Sequence, residues 1–185
     1  MDFLKAVQAL REGKVVAHAT ETCYGLAVDI FSHDAVLRLY DMKKMDLDKP
    51  VSILCTSLDE AKKYGEFSEK ALSLAEKYWP GPLTIVVSRK AALPVWINPG
   101  VSTIGIRVSS NEITRELVEG FGGPITTTSA NIHGLPQAYS VDEFAELKPD
   151  FILDSGRIPP ISPSTIVEVI GDSLKIIRQG DLKIG

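Results

Sequence analysis

The sequence has few of the features that mark secreted, membrane-spanning or disulfide-stapled proteins. It contains only two cysteines, Cys23 and Cys55, which is too few for a secreted disulfide framework. No apolar run approaches the roughly 18 residues that a membrane-spanning helix needs, and the N-terminus lacks the basic-then-apolar order of a signal peptide. A chain of 185 residues can bury a core without such staples. We therefore expect one cytoplasmic domain over residues 1–185, with no contact with a membrane.

Net charge and missing motifs exclude several classes of function. The count of 20 Lys and Arg against 24 Asp and Glu gives a net charge of −4, so an anionic ligand would need a local cationic patch. The patterns GxxxxGK[ST], GxGxxG after a strand, HExxH and GxSxG are all absent, which excludes P-loop, dinucleotide-fold, metalloprotease and hydrolase signatures. The histidines at 18, 33 and 133 lie far apart in sequence without a cysteine pair. No metal site is predicted.

Hydrophobic periodicity and capping residues predict a mixture of helices and strands. The predicted helices span residues 2–12, 33–44, 68–79 and 111–120, with two more that begin at Ser57 and Ser140. The predicted strands span residues 15–17, 51–55, 83–88, 103–108, 124–127, 151–153, 165–170 and 174–178. Because these elements do not alternate regularly, we expect an α/β fold of the α+β type with a mixed sheet. The long irregular stretch 89–102 is a candidate site loop.

Four segments place polar or cationic side chains beside apolar strands, where ligands often bind. The first is residues 19–26, in which two threonine hydroxyls and Glu21 follow a strand. They could orient a small zwitterion, or they could form a polar turn. Cys23 in this segment could be a nucleophile, but a buried core thiol is the favoured interpretation because no base stands beside it in sequence.

The other three segments offer charge and hydroxyl groups. Residues 43–50 carry three lysines at a helix end, either solvated or available to a triphosphate. In residues 103–107, alternation puts Thr103 and Arg107 on one face, where Arg107 could reach a ligand or be an ordinary edge-strand arginine. Residues 126–131 contain four consecutive hydroxyls after a strand, which favours a turn that holds phosphate or carboxylate.

Six motifs follow one another along most of the chain. They are Ala19-Thr20-Glu21-Thr22-Cys23-Tyr24-Gly25-Leu26, Trp79-Pro80-Gly81-Pro82-Leu83-Thr84, Ile106-Arg107-Val108, Ser129-Ala130-Asn131 with Gly134 and Pro136, Ser164-Thr165-Ile166-Val167-Glu168, and Arg178-Gln179-Gly180. In this order they resemble the YrdC/Sua5 family, the threonylcarbamoyl-AMP synthases also called TsaC. Because the last motif lies close to residue 185, we expect the short, single-domain form of that family.

The resemblance implies a twisted mixed sheet flanked by helices, with a concave face that binds ATP, L-threonine and bicarbonate. The three substrates would react there to give threonylcarbamoyl-AMP and pyrophosphate. The adenylate then feeds the threonylcarbamoyl modification of adenosine 37 in tRNA, through downstream tRNA threonylcarbamoyl-transferase proteins. ATP chemistry also implies Mg²⁺, although no ligand motif for it is visible.

The site residues are likewise implied by the resemblance, position by position. L-Threonine is expected at Thr22, Arg107, Thr127 and Ser164. ATP is expected at Lys43, Lys49, Thr103, Ser129, Asn131, Gln137 and Arg178. Lys43, Arg107 and Arg178 would position the substrates, and Glu21 would orient the loop that carries Thr22. No residue is assigned as an acid, base or nucleophile.

The chain departs from the family pattern at four positions. They are Ala19 and Asp46 in place of prolines, Met45 in place of arginine, and His133 in place of serine. The change at Met45 removes a bidentate phosphate donor, for which Lys44 or Lys49 could supply charge. The sequence therefore leaves open a paralogue with weak or altered synthase activity that binds nucleotides or RNA. A carbamoyl-transfer domain like that of hydrogenase-maturation proteins is a third alternative.

Overall fold

The computed structural model describes residues 1–184, and five α-helices lie in that range. They are α1 (Phe3–Arg11), α2 (His33–Met42), α3 (Leu58–Tyr64), α4 (Glu69–Tyr78) and α5 (Glu112–Phe121). Side-chain oxygens of Asp2, Ser32, Ser57, Ser68 and Asn111 accept hydrogen bonds from first-turn backbone N–H groups, which have no partner within the helix. The capping and periodicity patterns therefore predict these helices correctly, with ends that differ by one or two residues.

The segment that begins at Ser140 is a 3-10 helix, Val141–Leu147, rather than an α-helix. Its backbone leaves helical geometry at Phe144. The Phe144 ring is fully buried, with its centroid 5.3 Å from that of Tyr24. Burial of this ring against the sheet outweighs the local helical preference.

Ten strands within residues 1–184 form one sheet. They are β1 (Val16–Ala19), β2 (Tyr24–Ala27), β3 (Ser52–Leu54), β4 (Gly65–Glu66), β5 (Leu83–Arg89), β6 (Thr103–Arg107), β7 (Ile125–Ser129), β8 (Phe151–Leu153), β9 (Thr165–Ile170) and β10 (Ser173–Arg178). Their order is β10-β9-β5-β6-β3-β7-β2-β1-β8, and β4 pairs with β5 outside this path. Parallel pairs β1–β8, β3–β6 and β5–β9 combine with antiparallel pairs. The predicted mixed α/β sheet is confirmed.

Two segments that the sequence describes as polar turns contain strands instead. Residues 24–27 form β2, which is missing from the predicted strands and pairs with both β1 and β7. The hydroxyl-rich residues 126–129 lie within β7 rather than after it. β2 pairs with β7, and β7 pairs with β2 and β3, so each strand has an antiparallel partner that is distant in sequence. Local residue preferences do not reveal such partners.

The two faces of the sheet are covered unequally. On one face, α2, α3 and α4 pack against a large core that includes Leu39, Ala61 and Leu74. On the other face, α1 and α5 cover only one end of the sheet, through residues such as Leu10 and Leu117. The rest of this second face has no helix over its strands, so it is available to a ligand.

Strand alternation determines which side chains occupy the uncovered face. Leu54 and Ile125 belong to the small core beneath α1 and α5. Ser52 and Thr127 lie two residues away on the same strands, and therefore on the same face but beyond the helices. No helix within residues 1–184 has the length and apolar character needed to cross a membrane.

Candidate functional site

A cavity of about 160 Å³ lies on the uncovered part of the sheet. Most of its lining side chains carry hydroxyl groups, and two arginines and a glutamine join them. The lining residues are Thr20, Thr22, Cys23, Gly25, Pro50, Val51, Ser52, Thr84, Arg107, Thr127, Thr128, Ser129, Gln137, Pro163, Ser164, Ile166 and Arg178. None of these described residues carries a carboxylate, so the cavity suits a ligand with negative charge.

Arg107 is the buried cation of this cavity. It is the last residue of β6, and its side chain is 6% exposed, with Nη2 3.0 Å from Oε1 of Glu21. The Nε group of Arg107 has no hydrogen-bond partner among residues 1–184. Since a buried donor rarely stays unpaired in a working site, a ligand carboxylate is a suitable acceptor for it.

Glu21 does not line the cavity, but it contacts Arg107, which does. Its carboxylate accepts hydrogen bonds from the Ser109 hydroxyl and from the Ser110 N–H at 3.2 Å. Burial raises the pKa of Glu21, but Arg107 and these hydrogen bonds outweigh burial and hold the pKa below its usual value. The ionised carboxylate therefore fixes Arg107 and joins the β1–β2 turn to the segment after β6.

Ser164 and Arg178 form a second polar group on the wall of the cavity. Arg178 donates from Nε to the Ser164 carbonyl and from Nη2 to the Ser164 hydroxyl, both at 3.0 Å. The Ser164 hydroxyl also lies 3.2 Å from the hydroxyl of Thr84. Gly180, two residues beyond Arg178, packs so closely on the Pro163 carbonyl that a Cβ atom would overlap it.

Lys43 holds the turn after β7. Its ammonium donates to the carbonyls of Ser129 and Asn131 at 2.5 and 2.7 Å, and its side chain is buried. No side-chain carboxylate in residues 1–184 lies within 4 Å of it. Burial lowers the pKa of Lys43 to about 8. Lys43 is thus a buried cation with no carboxylate partner in the described part of the chain, not the solvated lysine that a helix end alone suggests.

A second cavity of about 290 Å³ adjoins the first and has mostly apolar walls. It is lined by Asn131, Ile132, Leu135, Pro136, Gln137, Glu143, Phe144, Glu146 and Leu147. Gln137 lines both cavities, and its buried Oε1 has no partner among the described residues. A ligand with a polar group in the first cavity and an apolar ring in the second would fit this arrangement.

The structure brings together most of the residues that the resemblance implies. Seven lie on the wall of the first cavity: Thr22, Arg107, Thr127, Ser129, Gln137, Ser164 and Arg178. Lys43 and Asn131 do not line this cavity, but both are hydrogen-bonded to Ser129, and Asn131 lines the second cavity. Thr103 and Lys49 are apart from it. Thr103 pairs with Ser88 at the start of β6, and the Lys49 ammonium is 3.5 Å from the Asp48 carboxylate.

Residues of the predicted site loop, 89–102, line a separate cavity of about 360 Å³. None of them lines the first cavity. The Arg89 guanidinium is half-buried and donates to the carbonyls of Ile97, Leu93 and Pro94 at 2.7, 3.2 and 2.8 Å, so the segment folds around this one side chain. The irregularity of this loop reflects its own internal hydrogen bonds.

Sequence reasoning missed Thr84 and Ser52 as wall residues. Thr84 is buried in β5 between Leu83 and Ile85, both also buried. A hydroxyl inside such an apolar strand needs a partner, and this was the available signal. Ser52 gave no comparable signal, because the expected strand around it did not reveal which face would stay uncovered.

Met45 and Cys23 have unreactive environments. Met45 is half-buried and packs against the main core, so it leaves no cation at the position of the family arginine. Cys23 lines the cavity as a free thiol, but burial raises its pKa. A thiol of this kind is a poor nucleophile, which agrees with the core-thiol interpretation.

The residues of the site do not fit a resident metal ion. No group of three or more His, Cys, Asp or Glu side chains within residues 1–184 could hold one. The wall offers hydroxyls and cations, and the nearby Glu21 is already paired with Arg107. Mg²⁺ prefers carboxylates, water and phosphate oxygens, so it has no protein-built site here.

Comparisons with known proteins agree with this geometry. A family model for Sua5, YciO and YrdC, described as telomere recombination, matches residues 8–180. The chain belongs to this family. Among its Sua5/YciO/YrdC relatives, the threonylcarbamoyl-AMP synthase of Coxiella burnetii strain RSA 493 is 34% identical over 176 residues, which cover 92% of this chain and 95% of the relative.

Two solved structures of Sua5/YciO/YrdC proteins resemble the fold closely. The crystal structure of Pyrococcus abyssi Sua5 complexed with L-threonine matches 97% of this chain with a TM-score of 0.92 at 34% identity. This chain covers 54% of that protein, about half its length. Escherichia coli YciO matches with a TM-score of 0.87 at 25% identity, over 97% of this chain and 89% of that one.

Proposed function

We propose that this Sua5/YciO/YrdC protein is a threonylcarbamoyl-AMP synthase. It would convert L-threonine, bicarbonate and ATP into threonylcarbamoyl-AMP and pyrophosphate. The observation that carries the proposal is a cavity whose lining has no carboxylate and includes both Arg107, with its unpaired Nε, and the hydrogen-bonded pair Ser164–Arg178. Relatives that bear the synthase name, and a Sua5 structure complexed with L-threonine, support this reading.

In this proposal L-threonine is bound through its carboxylate and its hydroxyl. Arg107 Nε and the Ser164 hydroxyl donate to the carboxylate, because both face the same small cavity. The hydroxyls of Thr22 and Thr127, on the same wall, take part in hydrogen bonds with the polar groups of the amino acid. Glu21 contributes indirectly, by holding Arg107 in place.

ATP then occupies the remaining cavity and its apolar neighbour. Lys43 and Arg178 offset phosphate charge, and the turn at Ser129 and Asn131, which Lys43 holds, offers hydroxyl and amide groups. The unpaired Gln137 oxygen accepts from an N–H of the nucleotide. Thr103 and Lys49 lie outside the first cavity, so they would contact only parts of the nucleotide that extend beyond it. Mg²⁺ would enter as the counter-ion of the triphosphate, and no step depends on a protein-bound metal.

The reaction needs positioning more than acid–base chemistry. The threonine amine combines with bicarbonate to give a carbamate and water. A carbamate oxygen attacks the α-phosphorus, a new O–P bond forms, and the bond to the bridging oxygen breaks so that pyrophosphate leaves with the electron pair. Lys43, Arg107 and Arg178 would hold the reacting groups together and neutralise their charge, which suits nucleotidyl transfer.

The product would serve tRNA modification. We propose that the adenylate passes to tRNA threonylcarbamoyl-transferase proteins, which modify adenosine 37. Cytoplasmic action belongs to the same proposal, and the free state of both cysteines agrees with a reducing compartment. Direct binding of RNA would rest on the lysines at 43, 44 and 49, of which Lys43 is buried, so any such binding should be weak.

The test is pyrophosphate release by purified protein with ATP, L-threonine and bicarbonate, each omitted in turn. We expect release only when all three are present. Arg107→Met should lower stability, because it removes the Glu21–Arg107 ion pair, and should abolish threonine-dependent pyrophosphate release in the protein that stays folded. Arg115→Met, on the exposed face of α5, serves as the control. Pyrophosphate release that is independent of threonine would reject the proposed substrate.

A further inference from the structure

Thr84 has an unusual position for a polar residue. It lies in β5 near the centre of the sheet, is 3% exposed, and lines the first cavity. Its methyl carbon Cγ2 faces Gly105, where an added Cβ would lie 3.2 Å from it. Because the methyl group faces Gly105, the hydroxyl is directed toward Ser164, whose Oγ is 3.2 Å away.

The bonds around Ser164 limit what its hydroxyl can do. A serine hydroxyl has one proton to donate and two lone pairs that accept. Arg178 Nη2 donates to one lone pair at 3.0 Å. If Thr84 donates to the other, Ser164 has only its proton left, and this proton is free for the cavity. A hydroxyl polarised by two donors is itself a stronger donor to an anion.

We propose that Thr84 is a positioning residue that, together with Arg178, fixes the Ser164 hydroxyl as a donor to the carboxylate of the amino-acid substrate. This inference rests on the proposed synthase function. Thr84 acts through Ser164, so the two hydroxyls form one binding unit rather than two independent contacts. An anion in the cavity selects the arrangement in which the Ser164 proton faces it.

The test compares Thr84→Val, which keeps the shape and the methyl group that faces Gly105, with Thr84→Ser, which keeps the hydroxyl. We expect Thr84→Val to raise KM for L-threonine about 5- to 10-fold, the effect of losing one hydrogen bond near a charged group, with kcat changed less than about twofold. Thr84→Ser should restore most of the affinity. Ser88→Ala removes a hydroxyl from the same face of β5 outside the cavity and is the matched control.

A double-mutant cycle with Ser164→Ala decides between action through Ser164 and direct contact. We expect the double variant to have a KM for L-threonine less than about twofold above that of Ser164→Ala alone. If Thr84→Val raised KM by the same factor with and without Ser164→Ala, the proposal would be overturned. An unchanged KM for L-threonine in folded Thr84→Val would overturn it as well. If wild-type protein shows no threonine-dependent pyrophosphate release, the proposed function itself fails, and this outcome is distinct from a loss confined to the variants.

Discussion

At the scale of single residues, the candidate site depends on buried polar groups that lack a complete set of partners. Arg107 Nε and Gln137 Oε1 are unpaired among residues 1–184, and Lys43 has no nearby carboxylate. Such groups cost stability in the empty protein. An anionic ligand that satisfies them recovers part of this cost, which gives the site its selectivity for charge.

Lys43 makes nucleotide binding depend on pH. Its pKa is lowered to about 8 by burial, so the empty protein carries a charged ammonium below pH 8 and a neutral amine above it. A bound triphosphate favours the charged form. We expect the Kd for ATP to rise above pH 8, by at most about tenfold per pH unit, as measured by titration calorimetry.

The control for this pH dependence is the neighbouring lysine. Lys43→Met should bind ATP more weakly and with little change between pH 8 and 10, whereas Lys44→Gln, at an exposed position, should retain the wild-type profile. The same rise in Kd with pH in Lys43→Met would exclude Lys43 as the titrating group.

Residue-level prediction from the sequence was uneven for a physical reason. Arg107, Ser164 and Arg178 could be named because they stand in contiguous motifs. Thr84 and the Glu21–Arg107 pair could not, since their roles depend on contacts between segments 80 and 86 residues apart in sequence. Lys43 is a candidate from its motif, but its burial follows only from the packing of α2 against the turn after β7.

At the scale of elements, the Glu21–Arg107 ion pair ties the β1–β2 turn to the end of β6. Removing the charge of Glu21 leaves a buried guanidinium without its partner. We expect Glu21→Gln to lower the free energy of unfolding at pH 7 by about 2 kcal/mol. Glu119→Gln, from an exposed pair on α5, should change it by less than about 0.5 kcal/mol.

The sign of the pH effect at Glu21 is also testable. Its folded pKa is lowered, so its contribution is complete above the unfolded value of 4.5 and is lost as pH falls through the folded pKa. The stability gap between wild type and Glu21→Gln should therefore narrow below pH 4.5 in chemical denaturation. A gap that stays constant on acidification would contradict a charge-based tie.

The loop of residues 89–102 provides a contrasting prediction. Lysine has one ammonium and cannot reproduce the fork by which Arg89 reaches several carbonyls. We expect Arg89→Lys to speed proteolytic cleavage within this loop and to lower Tm. Threonine-dependent kinetics should stay within about twofold of wild type, because the loop lies outside the cavity. A large loss of threonine-dependent activity at unchanged Tm would indicate that the loop contributes to the site.

Elements with strong local signals were predicted well from the sequence. Ser32, Ser68 and Asn111 stand just before amphipathic stretches, and each caps a helix. The short strand β2 was missed and β7 was partly described as a turn, because both need their antiparallel neighbours to form. The 3-10 geometry at Phe144 likewise depends on burial against Tyr24, which no local pattern reveals.

At the scale of the whole molecule, one sheet with unequal coverage explains where the site is. Helices cover one face, while α1 and α5 cover only one end of the other, so polar side chains from five strands, β3, β5, β6, β7 and β10, share an open surface. The net charge of −4 agrees with this arrangement. The buried cations Arg107 and Lys43 attract a small anionic ligand locally, whereas the protein as a whole repels a polyanion.

The central claim is that this cavity joins threonine, bicarbonate and ATP in one product. The most direct measurement is mass spectrometry of the reaction mixture with ¹³C-labelled bicarbonate. We predict that threonylcarbamoyl-AMP carries the label and forms in step with pyrophosphate, and that neither product forms when threonine is omitted. Folded protein that binds ATP and threonine but yields no labelled adenylate would contradict it.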